Sequence, residues 1–140
     1  TDITYISCSD GRLYLSTYID LTTRIPRCFS IENHMGNRHT PLIDYKGKHP
    51  NFIHSDRGSQ YRSYALQEFL DKYGIIHSMS EPGTPVDNAV VESYHRSIKR
   101  ELIYPNKHKT KAELKILLLI IYETTTLINV FTQMTPREFE

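Results

Sequence analysis

Three carboxylates stand out in this chain by the residues around them. Asp56 lies in His54-Ser55-Asp56-Arg57-Gly58-Ser59-Gln60-Tyr61, and Glu92 follows Pro85-Val86-Asp87-Asn88-Ala89-Val90-Val91. Asp2 opens the chain in Thr1-Asp2-Ile3-Thr4-Tyr5-Ile6, and 35 residues separate Asp56 from Glu92. Acids on three separate elements, two of them beside structure-breaking residues, form the pattern of a hard-metal site rather than of surface solubility. Mg²⁺ takes oxygen ligands and keeps several waters, so a few carboxylates plus a substrate phosphate suffice to hold it. Two such ions, about 3.5–4 Å apart, can activate an attacking oxygen and stabilise a leaving one.

Each acid also has a plainer reading. Asp-Arg-Gly is turn chemistry, so Asp56 by itself could cap a turn. Glu92 by itself is a first-turn helix acid that the macrodipole favours. Asp20 is a competing acid and reads as a strand-end turn residue. His34 and His39 have a zinc-like interval, but no Cys-x-x-C follows, which argues against structural zinc. His54 reads as a structural residue at a strand end, and Tyr61 and Tyr94 read as packing residues. Arg96 and Lys99 share a helix face with Glu92, and His95 and Arg100 flank it. They are candidates for DNA phosphate contact, with solvated helix charges as the alternative. Lys107, His108, Lys109 and Lys111 form a second basic cluster of the same ambiguity.

These motifs resemble a known family, the catalytic core of DDE transposases of bacterial insertion sequences, whose core is similar to that of retroviral integrase. The resemblance runs through Asp-Ile-Thr-Tyr, Tyr14-Leu15, Ile19-Asp20-Leu21, Arg24 and His-Ser-Asp-Arg-Gly-Ser-Gln-Tyr. It continues through Ser78-Met79-Ser80, Pro85, Asp87-Asn88-Ala89, Glu92-Ser93, Lys99, Glu101 and Thr135-Pro136. It implies a ribonuclease-H-like α/β fold and a catalytic triad of Asp2, Asp56 and Glu92 holding two Mg²⁺ ions, with Mn²⁺ as a substitute. Asp2 would bridge the ions. The implied reaction is phosphodiester hydrolysis followed by strand transfer on double-stranded DNA, both element ends and target. The full-length protein would be a homo-oligomer in the bacterial cytoplasm, associated with the nucleoid and not with a membrane. A ribonuclease-H-like nuclease and an inactive DNA-binding or assembly module remain the alternatives.

The chain also departs from the family pattern. Only 53 residues separate Asp2 from Asp56, a little short for the family. The deficit falls in residues 32–50, where relatives carry a helix and Gly36, Pro41, Gly47 and Pro50 disfavour one here. Residues 1–140 would then be a single core domain, a fragment lacking the N-terminal DNA-recognition region or a remnant whose triad outlived its activity.

The elements that must position these residues follow from pattern. Ile3 to Cys8, Leu13 to Ile19 and Ile25 to Ile31 read as strands of an antiparallel meander. Asn51 to His54 is a short strand delivering Asp56, and a site there requires the first strand to be central in the sheet and beside it. Tyr64 to Tyr73 reads as a helix stopped by Gly74, and Ile75 to Met79 as a fifth strand. Asp87 or Asn88 can cap a helix from Ala89 to about Ile103, with an apolar stripe at Val91, Tyr94, Ile98 and Leu102. A last helix spans about Lys111 to Thr124. Together these make an α/β domain whose mixed sheet combines the meander with two further strands, flanked by helices.

The length of 140 residues fits one domain. Seventeen basic residues against 16 acids leave a net charge of +1, so any attraction to nucleic acid must be local. Two cysteines build no disulfide framework and fit a reducing compartment. The most apolar run, Leu117 to Ile121, is far short of the ~20 residues of a membrane span.

Overall fold

The computed structural model describes residues 1–35, 40–82 and 88–133, the last with side chains as far as residue 125. Strands β1 (Asp2–Cys8), β2 (Gly11–Ile19) and β3 (Pro26–Glu32) form the expected antiparallel meander in the order β1-β2-β3. Gly11 sits at φ +134°, a backbone conformation that side chains rarely adopt, and this sharpens the β1–β2 turn. Asp20 is a turn acid as expected. Its Oδ1 accepts the Thr22 and Thr23 amides, and its Oδ2 pairs with Arg27 at 2.8 Å.

Strands β4 (Phe52–Ser55) and β5 (Ile76–Met79) pair in parallel. A parallel pair needs a crossover. Here it is a 3₁₀ turn (Ser59–Arg62) followed by α2 (Tyr64–Tyr73). Ser63 caps α2 by accepting the Leu66 amide, and Gly74 stops it in the left-handed region at φ 64°. Among the described residues between β3 and β4 the helix is α1 (Pro41–Asp44), a single turn, which agrees with the poor helix signal there.

The two ladders meet differently from expectation. β1 forms no ladder with β4. Among the described residues the Thr1 amine donates to the His54 carbonyl at 2.7 Å, and Ile3 of β1 packs on the cluster that contains Ile53 of β4. β4 is only four residues long, and its pairing is with β5, so the mixed sheet is a three-stranded and a two-stranded ladder.

Two apolar clusters lie behind these ladders. Ile6, Leu13, Leu15 and Ile31 of the meander pack with Ile103, Leu114, Leu118 and Tyr122. Tyr18, Leu42, Ile53, Tyr61, Leu66, Leu70 and Ile75 form the second. Tyr61 is fully buried, so it packs rather than presenting its ring to a ligand.

Helix α3 (Ala89–Ile98) runs without a break into a π-helical turn (Lys99–Ile103) and a short 3₁₀ turn (Tyr104–Asn106). An i→i+5 turn takes one more residue to come round. That one-residue delay explains why Ile103, and not Leu102, is the fully buried residue at the end of the stripe. Thr110 and Glu113 form a reciprocal capping box at the start of α4 (Lys111–Gln133). This helix continues past the expected end at Thr124, whose hydroxyl is accommodated within it by bonding back to the Ile120 carbonyl at 2.7 Å. Among the described residues no helix is long and apolar enough to cross a membrane.

Candidate active site

The site lies where β1, the end of β4 and the start of α3 come together. Asp2 is the first residue of β1 and opposes Thr17 of β2. Its side chain is 19% exposed, and burial is the largest cause that raises its pKa to about 6. The Ile3 amide opposes the rise, while the negative charges of Asp56 and Glu92 add to it. The fold therefore brings Asp56 and Glu92 each within electrostatic reach of Asp2, although the three come from separate elements.

Asp56 follows β4 directly. Its Oδ1 accepts the Gly58 amide at 2.8 Å, the turn that the sequence suggests. The strand end is fixed by His54, whose ring nitrogens lie 3.0 Å from Ser78 Oγ and 2.9 Å from Ser80 Oγ, a structural role as expected. Arg57 is held by Nε donating to the Ser80 carbonyl and by Glu81. Glu92 is exposed in the first turn of α3. Asn88 precedes this helix, yet its side chain does not cap it. Its Nδ2 donates to the Thr1 carbonyl at 3.3 Å and ties the start of α3 to the start of β1. The capping role offered for Asp87, and His39 of the His34/His39 pair, lie outside the described residues.

Behind Asp2 runs a buried chain of polar side chains. His95 Nδ1 lies 3.9 Å from Asp2 Oδ2, and His95 Nε2 lies 3.2 Å from Thr17 Oγ1. Thr17 Oγ1 is 2.9 Å from Tyr122 Oη, and the Tyr122 ring stacks on Phe29 at 3.9 Å between centroids. Burial, then the Lys99 charge, depresses the His95 pKa to about 4. At neutral pH the imidazole is therefore uncharged, and its approach to Asp2 is not an ion pair.

His95 corrects one expectation. It was read as flanking a DNA-contact face, but it is 4% exposed and bonded to Thr17, so it cannot reach a duplex. Val91 and His95 fall at i and i+4, and this pair, rather than Val91 and Tyr94, is the fully buried part of the stripe. The i+4 spacing was the available signal for His95. No sequence signal marked Thr17 or Tyr122 as its partners. Arg96 is exposed. Lys99 is half-buried, its Nζ 4.8 Å from the centre of the Tyr5 ring. Arg100 is exposed and paired with Glu101 at 2.9 Å.

The donor set of three carboxylates suits a hard divalent cation. Among the described residues, however, no three acids, histidines or cysteines stand close enough together to form a ready-made metal cage. The carboxylates approach one another without closing.

Comparison with known proteins gives the family and the fold. Two models of the integrase core domain match residues 1–85 and 73–120, the first containing Asp2 and Asp56 and the second Glu92. The transposase for insertion sequence element IS904 of Lactococcus lactis is 38% identical over 118 residues, covering 80% of this chain and 47% of that protein. The putative transposase InsK for IS150 of Escherichia coli is 36% identical over 122 residues, covering 82% of this chain and 43% of that protein. The chain thus spans under half the length of these relatives. Among solved structures, an integrase chain of a simian T-cell lymphotropic virus intasome, in complex with a PP2A regulatory subunit, superposes with a TM-score of 0.61 at 19% identity, covering 71% of this chain and 37% of that one. The catalytic core domain of BIV integrase superposes with a TM-score of 0.51 at 16% identity, covering 81% and 76%. Both show the ribonuclease-H-like fold. The chain belongs to the integrase core domain family.

Proposed function

We propose that this chain is the metal-dependent catalytic core of an insertion-sequence transposase, with Asp2, Asp56 and Glu92 as the metal-holding triad. The observation that carries the reading is that the charges of Asp56 and Glu92 both act on the half-buried Asp2. An acid that is costly to ionise beside two other carboxylates gains most from a cation. When bound, Mg²⁺ or Mn²⁺ ions would supply an activated oxygen nucleophile and neutralise charge on the reacting phosphate. The chain's own part is to hold and orient. β1 positions Asp2 in front of the buried, neutral His95, the Gly58 amide orients Asp56, and the first turn of α3 presents Glu92. Arg96, Lys99 and Arg100 would contact phosphates of double-stranded DNA, the element ends and the target. The complete protein would act as a homo-oligomer on chromosomal DNA.

The test is cleavage and strand transfer on a duplex bearing element ends, with Mg²⁺ or Mn²⁺. Asp56→Asn and Glu92→Gln keep shape and remove charge, and each should abolish both reactions. Cleavage at the unaltered rate by either variant would overturn the triad. Cleavage without any strand transfer would instead indicate a nuclease of the same fold.

A further inference from the structure

A half-exposed tyrosine on β1, three residues from Asp2, gathers two positive charges. Tyr5, on β1, is 53% exposed. The Arg12 guanidinium carbon lies 5.0 Å from its ring centre, and Lys99 Nζ lies 4.8 Å from it. The two cations come from different elements, Arg12 from β2 and Lys99 from the π-helical turn after α3. Strand alternation sets Tyr5 on the opposite face of β1 from Asp2 and Ile6. β1 is the outer strand of its ladder, so Lys99 spans that outer edge to reach the ring.

Among the described residues, neither Arg12 nor Lys99 has a carboxylate within ion-pair distance. The other arginines with described partners are answered by acids, Arg27 by Asp20, Arg57 by Glu81 and Arg100 by Glu101. Since both cations lie about 5 Å from one ring centre, they are no more than about 10 Å apart, close to the ~8 Å screening length at physiological ionic strength. The negative face of the ring attracts each of them. The like charges still repel, and an anion between or above them would relieve the repulsion.

We propose that Arg12, Tyr5 and Lys99 form a shelf that holds the phosphate backbone of the DNA strand leading away from the triad. Tyr5 is three residues from Asp2, roughly 10 Å along the strand. At ~3.4 Å per nucleotide along one DNA strand, the shelf meets a phosphate within about three nucleotides of the reacting one. The ring orders the two side chains, and the cations make the contact. Such a contact reads charge and not base sequence. This inference rests on the DNA reading above and adds Arg12 and Tyr5, which the triad and the α3 basic face leave unused.

The experiment is duplex binding by the full 140-residue chain across a salt series, followed by fluorescence anisotropy, with thermal melting to verify folding. Each phosphate contact removed should lower the slope of log affinity against log salt by about one. Arg12→Gln should lower it by about one, and Arg12→Lys should restore it. Tyr5→Leu should weaken binding several-fold, whereas Tyr5→Phe, which keeps the ring, should stay within about twofold. A slope unchanged in Arg12→Gln overturns the shelf. If that variant still cleaves DNA with metal, the transposase reading survives and only the shelf is lost. Failure of the unaltered chain to bind any duplex overturns both.

Discussion

In the proposed triad Asp2 and Glu92 share one task but are supported in opposite ways. Asp2 is half-buried on a strand, backed by neutral His95 and, through Thr17, by Tyr122. Glu92 is exposed on the first turn of a helix, where the helix's positive end favours its charge. The two meet through one helix, because His95 lies one turn after Glu92 and the two are neighbours on its surface. One turn of α3 thus presents an acid to solvent and a structural imidazole to the interior. The contrast implies that charge removal has a similar effect on chemistry at the two positions and a different effect on stability.

The largest expected effect tests that implication. Asp2→Asn and Glu92→Gln should each abolish metal-dependent cleavage, because the ions need anionic ligands. Without divalent ions at pH 7, Asp2→Asn should raise stability. The ceiling from a shift of 3.8 to about 6 is about 3 kcal/mol, and partial solvent exposure brings the expected gain to about 1–2 kcal/mol. Glu92→Gln, at the surface, should change stability by no more than about 0.5 kcal/mol. Urea melts of the two variants make the measurement. Equal stability changes would mean that Asp2 carries no burial penalty and that the contrast is false.

The next effect is pH dependence, where the Asp2 region opposes itself. Asp2 has a folded pKa of about 6, above its ordinary 3.8. Its stabilising contribution is fully present below 3.8 and is lost as pH rises to 6. His95 has a folded pKa of about 4, below its ordinary 6.5. Its contribution is present above 6.5 and is lost as pH falls to 4. Between pH 4 and 6.5 the two slopes have opposite sign and largely cancel. Relative to the unaltered chain, Asp2→Asn should therefore lose about 1–2 kcal/mol of stability on acidification across this window, and His95→Leu should gain up to about 3 kcal/mol. Melting temperatures at half-unit pH steps would reveal the tilt. Curves for both variants that run parallel to that of the unaltered chain would break the account.

Much of this was legible in the sequence because it rests on local signals. The meander, α2 with its Gly74 stop, and Asp56 at a strand end follow from alternation, turn residues and helix caps. The burial of His95 was not legible in that way. It depends on which residue of α3 meets Thr17, and a π-helical turn after Ile98 shifts the end of the stripe from Leu102 to Ile103. Such a turn leaves no mark in a pattern that assumes 3.6 residues per turn. The extension of α4 past Thr124 was hidden by the poor helix propensity of a threonine run. The Arg12–Tyr5–Lys99 gathering was invisible because its members are distant in sequence and meet only once β1, β2 and the end of α3 are assembled.

The smallest expected effect probes the far end of the Asp2 support. Tyr122 is 1% exposed and does two things at once: its ring stacks on Phe29, and its hydroxyl meets Thr17. Tyr122→Phe keeps the stack and removes the hydroxyl. Thr17 retains His95 as a partner, so no buried group loses its last hydrogen bond, and the cost should be about 1 kcal/mol. Thr17→Val removes the middle of the chain and leaves both the His95 and Tyr122 polar atoms without this partner, so it should cost more, about 2 kcal/mol. If the three side chains act as one network, the double variant should cost clearly less than the two single costs added. Additive costs in a double-mutant cycle would mean that Tyr122 supports Asp2 by packing alone, and the contrast with Glu92 would then rest on burial and His95 without the outer hydroxyls.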